Sequence, residues 1–85
     1  MIEFLLKNKK ITGENFKKAV LFYNIISEIY HSKSPREGAT RKEIYKLLRK
    51  KHIYFSLEEV SRFLQYLKDN RIVTNVNNDY WVTIA

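Results

Sequence analysis

The chain has 85 residues, 45% of them hydrophobic and 29% charged, with 16 Lys or Arg against 9 Asp or Glu for a net charge of +7. That size allows one domain with a single modest core, and the lack of cysteine excludes disulfides and thiolate metal sites. The positive excess predicts attraction to polyanions, of which nucleic acid is the commonest inside a cell, although the same charge also fits a merely well-solvated surface.

Residues 2–6, IEFLL, are too short to classify by period, and an extended segment is expected there. A basic linker of Lys7, Asn8, Lys9 and Lys10 follows. The apolar run is too short for a signal peptide or a membrane span, so a cytoplasmic protein with no membrane partner is expected.

Gly13 and Asn15 mark the entry to a long helix over residues 14–31. Phe16, Ala19, Val20, Tyr23, Ile26 and Tyr30 form one stripe, expected to face the core, and Phe22, Ile25 and Ile29 form a second beside it. A surface helix normally buries one arc, so the second stripe needs a cover. The candidates are residues 2–6 of the same chain, a second copy of this helix, or a different protein. Residues 31–39, HSKSPREGA, then break the helix at Pro35 and Gly38.

A second helix is expected over residues 40–51 and a third over residues 56–70. Thr40 with Glu43, and Ser56 with Glu59, each have the spacing of a capping box. In the second helix Ile44, Leu47 and Leu48 share a face, while Arg41, Lys42, Lys46, Arg49, Lys50 and Lys51 lie on or near the opposite one. In the third, Leu57, Val60, Phe63, Leu64 and Leu67 point inward, leaving Glu58, Arg62, Gln65, Tyr66 and Asp69 outward. The period then changes from 3.6 to 2. Residues 71–85 read as a hairpin turning within Asn77, Asn78 and Asp79. Either Trp81 or the trio Tyr80, Val82 and Ile84 faces inward, and the alternation alone leaves both open. No internal repeat is evident.

A long helix, two short helices and a hairpin, with the local texture of GATRKEIYKLL and FLQYLKDNRIV, resemble the winged-helix (winged helix-turn-helix) DNA-binding family of small archaeal and bacterial regulators over residues 14–85. The resemblance implies an α+β fold of three helices and a two-stranded C-terminal wing, in one domain spanning residues 1–85 with residues 1–13 as an N-terminal extension. It implies double-stranded DNA as the partner and transcription regulation as the role. The second helix would cross the phosphate backbone, making Arg41, Lys42, Lys46 and Arg49 the candidate phosphate contacts. The third would enter the major groove, making Arg62, Gln65 and Tyr66 the candidate base readers. Helices in the position of the long one commonly build dimers in this family, which puts a homodimer through Phe22, Ile25 and Ile29 ahead of a foreign partner at that stripe.

Two features depart from the family pattern. The third helix is close to neutral, with Glu58 and Glu59 at the end that usually meets the bases. The wing residues Asn75, Asn77, Asn78 and Asp79 offer no Lys or Arg. Both favour an alternative, a protein-interaction winged helix serving as an accessory subunit of a replication or transcription assembly.

Little supports catalysis. His31 and His52 have no second ligand at metal spacing, Gly13 and Gly38 make no phosphate loop, and capping already accounts for Glu43 and Glu59. A binding module without metal or cofactor is expected, and no enzyme.

Overall fold

Capping boxes at Thr40 and Ser56 start two of the helices as their spacing requires: each hydroxyl accepts from the N–H of Glu43 or Glu59, and each glutamate accepts from the cap N–H. A computed structural model describes residues 2–84. The ends of the expected N-terminal extension and wing, Met1 and Ala85, lie outside the described residues. The architecture is α+β, in the order α1 (Ile2–Asn8), α2 (Gly13–Ser32), α3 (Arg41–Lys50), α4 (Leu57–Asp69), β1 (Val73–Val76) and β2 (Tyr80–Thr83). No helix among the described residues is long and apolar enough to cross a membrane.

The extended segment expected at residues 2–6 is instead α1, which adds a helix to the three expected. Ile2, Leu5 and Leu6 follow helical spacing, and Glu3 and Lys7 suit the helix dipole at the two ends. So short a helix is marginal by itself, and burial of Ile2 and Leu6 against α2 is what stabilises it.

The two-stripe reading of α2 needs a larger correction. Phe22, Ile25 and Ile29, expected at a dimer or partner interface, are only 1%, 2% and 7% exposed within a single chain. The physical reason is that α2 is the central helix, packed by α1, α3 and β2, with Phe22 also set 4.9 Å from Phe63 of α4 and 5.9 Å from Phe55. From the stripe expected inward, Ala19 and Ile26 are fully buried, whereas Phe16, Val20, Tyr23 and Tyr30 are half-buried. A central helix is covered around most of its circumference, so its apolar arc is wider than that of a surface helix.

Helices α1, α3 and α4 end alike. The N–H groups of Lys10, His52 and Arg71 donate to the carbonyls of Lys7, Arg49 and Lys68 at 3.0, 2.9 and 3.0 Å. Those of Ile11, Ile53 and Ile72 donate to Leu6, Leu48 and Leu67 at 3.0, 2.9 and 2.9 Å. This is the Schellman pattern, whose turning residue is left-handed and usually glycine. Here it is Lys10, His52 and Arg71, with φ of 60°, 64° and 59°, and the lysine and the arginine put positive charge at the negative end of their helix dipoles. The hexapeptides LKNKKI, LRKKHI and LKDNRI are therefore one short motif used three times, a recurrence that a search for helix and strand periods passes over.

The hairpin pairs Val73 with Thr83, Thr74 with Val82, Asn75 with Trp81 and Val76 with Tyr80. Asn77 and Asn78 take left-handed φ of 53° and 65° to make the turn. Ala39 adds a bridge on the other side of β2, its N–H donating to the Trp81 carbonyl at 2.9 Å and its carbonyl accepting from the Trp81 N–H at 2.7 Å. Gly38 makes that approach possible. Its φ is 101°, and a Cβ there would fall 2.8 Å from Val82 Cγ1 and 2.9 Å from the Trp81 carbonyl oxygen. Trp81 is half-buried and packs on the core, closing the hairpin against the helices. On the other face Tyr80 and Val82 are half-buried too and Ile84 is exposed, so β2 is partly covered on both faces and neither alternative holds alone.

The α3 cap also carries charge. Partial burial opposes ionisation of Glu43, but a 2.7 Å hydrogen bond from Lys33 Nζ and those from Thr40 outweigh it and hold the carboxyl below its ordinary 4.5. The Ser56 backbone N–H, then its hydroxyl, likewise lower Glu59. A carboxyl depressed on folding contributes stability above its unfolded pKa and loses it as pH falls through the folded value. Denaturant midpoints should thus drop on acidification below about pH 4.5. Lys33→Met, which keeps the stem and removes the charge, should shrink that drop, and equal drops in both proteins would contradict the assignment.

Candidate nucleic-acid interface

The solvent face of α3 follows directly from its buried one. Ile44 and Leu48 lie in the core, so residues near 180° from them, Lys42, Lys46, Arg49 and Lys50, stand in water. From Lys42 to Arg49 the row runs about 10 Å along the helix. Arg41 is also exposed and turns toward α4, where its Nη1 donates to Ser61 Oγ at 3.1 Å. None of these five side chains has a carboxylate at ion-pair distance among the described residues. The one acid of α3, Glu43, is taken up by its cap and by Lys33. Lys51, past the helix end, is paired with Glu28 at 3.3 Å and so differs from the others.

Arg41 and Lys42 form one wall of an open cleft of about 590 Å³. The α3 cap Thr40, Ser61 and Gln65 of α4, and Asn78 to Trp81 of the hairpin form the rest. Its polar groups are amides, hydroxyls and the two cations, opposed by the single carboxylate of Asp79. Such a lining suits an anion or a polar edge.

The candidate base readers are split. Gln65 faces the cleft, but its Nε2 donates to Asp69 Oδ1 at 2.8 Å on its own helix. Arg62 is bound to Glu58 at 2.8 Å and lines a different groove, with Asn15, Lys18, Glu59, Phe63 and Tyr66. Tyr66 stacks on Phe63 at 5.2 Å and is half-buried. The structure therefore brings Arg41, Lys42 and Gln65 together and leaves Arg62 and Tyr66 apart from them. The outward residues Glu58, Arg62, Gln65 and Asp69 carry one net negative charge, satisfied within α4.

Three residues of this surface carry no role in the sequence reading. Ser61 is fixed by donating to the Leu57 carbonyl at 3.0 Å while it accepts from Arg41. Tyr45 and Tyr54 flank Arg49, with its guanidinium carbon 5.6 and 5.1 Å from their ring centroids. The signal for Tyr45 was present, since it is four residues before Arg49 on one helix; that for Tyr54 depends on how the α3–α4 turn folds. In comparisons with family models, curated proteins and solved structures, none matches this chain.

Proposed function

We propose that this chain is a winged-helix module that binds double-stranded DNA mainly through its phosphates, with α3 lying across the backbone and the hairpin as a wing. The observation that carries this reading is the row of α3 cations left without carboxylate partners, in a protein whose other ion pairs show that acids are at hand. Free cations facing water keep their full attraction for a phosphate chain, whereas paired ones must first give up a partner. Arg41, Lys42, Lys46 and Arg49 supply affinity without sequence information. Titration of a random-sequence duplex at low salt tests the reading: binding is expected without any preferred site, and no binding removes it.

Base reading by α4 is weak in this account. Arg62 and Gln65 would have to leave Glu58 and Asp69 before reaching a base edge, and the two carboxylates repel the backbone they approach. A regulator reading one operator is therefore less well supported than a binder of DNA in general. Glu58→Gln with Asp69→Asn should raise duplex affinity by about tenfold at low salt, by removing two repulsions and freeing both side chains. An unchanged or lower affinity would mean that α4 does not approach DNA, which would favour the second reading: a partner protein on the α4 face, with its single net negative charge.

A further inference from the structure

The turn between α3 and α4 holds a cluster of aromatic rings around Arg49, and of this cluster duplex binding uses only the Arg49 charge. His52 takes the left-handed position that ends α3, and residues 53–55 then run outside any helix or strand with burial alternating, Ile53 and Phe55 half-buried and Tyr54 exposed. Ile53 and Phe55 both pack against the core, and Phe55 lies beside Phe22. With both neighbours anchored inward, Tyr54 is held outward and is 63% exposed. Its hydroxyl is 3.2 Å from His52 Nδ1, and the Arg49 guanidinium lies over its ring. Tyr45 supports the same guanidinium from its other neighbour position on α3.

An exposed ring that is braced at its neighbours, its hydroxyl and one face has little conformational freedom to lose on binding, which favours stacking of a planar partner on its free side. Lys46 and Lys50 stand on the same helix within a turn of Arg49 and would meet a phosphate chain leaving such a stack. Aromatic platforms beside cations are how proteins hold unpaired bases, because every base has a face to stack and the backbone supplies the charge. Paired bases inside a duplex cannot offer that face.

We infer that Tyr54, set by Arg49, Tyr45 and His52, is a stacking site for unpaired nucleotides, so that the protein favours duplex DNA carrying a single-stranded extension over blunt duplex. This rests on the duplex-binding reading, and the two fail separately in one experiment. Fluorescence anisotropy compares one labelled duplex, blunt or with a thymidine overhang of about six nucleotides, within the span of such a platform. The overhang should bind about tenfold more tightly, which corresponds to one stacked base. Tyr54→Leu should abolish that advantage, and Tyr54→Trp, with a larger stacking face, should keep it. Equal affinity of the wild type for the two DNAs, or an advantage that survives in Tyr54→Leu, would overturn the inference alone. An absence of binding to the blunt duplex would instead remove the duplex reading. Because Tyr54 is exposed, the variants should melt as the wild type does, and a shifted melt in Tyr54→Leu that Tyr54→Trp shares would identify a packing role and also overturn the inference.

Discussion

Ile25→Glu is expected to unfold the domain. Ile25 is 2% exposed between Phe22 and Ile29 in the central helix, in a core whose buried side chains among the described residues are all apolar. The substitution forfeits an isoleucine's burial, about 1.5–3 kcal/mol, and leaves a carboxylate to be desolvated without a partner, at several kcal/mol more. A domain of this size has on the order of 5–10 kcal/mol in all. Far-UV circular dichroism should show most helix lost, with no cooperative melt. The alternative assignment of Phe22, Ile25 and Ile29 to a subunit interface requires a folded monomer from the same substitution, so native helix content with a sharp melt would contradict the packing described above.

How far the fold was legible depended on whether neighbouring residues decided it. The caps at Thr40 and Ser56, the inward faces of α3 and α4, and the asparagine turn of the hairpin all rest on local rules, and all stand where those rules put them. The cover of α2 was not legible, because two apolar stripes look alike whether one faces a partner or the rest of the same chain. Whether residues 2–6 are helical turned on the same question, since only packing against α2 makes so short a helix stable. Trp81 was ambiguous in an alternating strand, and only its packing on the core in three dimensions gives it a place.

The candidate site divides along the same line. The exposed charges of α3 follow from its helical period, and so do the outward positions of Arg62 and Gln65. What the period could not convey is that Arg62 and Gln65 are tied to acids one turn away while the α3 cations are not. Either rotamer fits the sequence. Nor could it show Arg41 reaching Ser61 across the helix pair, or Tyr54 held out by the anchoring of Ile53 and Phe55.

Replacing Arg41, Lys42, Lys46 and Arg49 together by glutamine should weaken duplex binding on the order of a thousandfold at about 0.1 M salt, because each phosphate neutralised releases counterions worth somewhat under a factor of ten there. The loss should be the same for every duplex sequence, as befits contacts to the backbone. All four side chains are exposed, so the melt should change little. The salt dependence of binding to one random-sequence duplex, measured on the wild type and this variant, tests the role of α3 most directly. The expected result is a steep linear fall of log affinity with log salt in the wild type, with a slope shallower by about four units in the variant, one for each contact removed. A wild-type affinity independent of salt, or equal slopes in the two proteins, would contradict it.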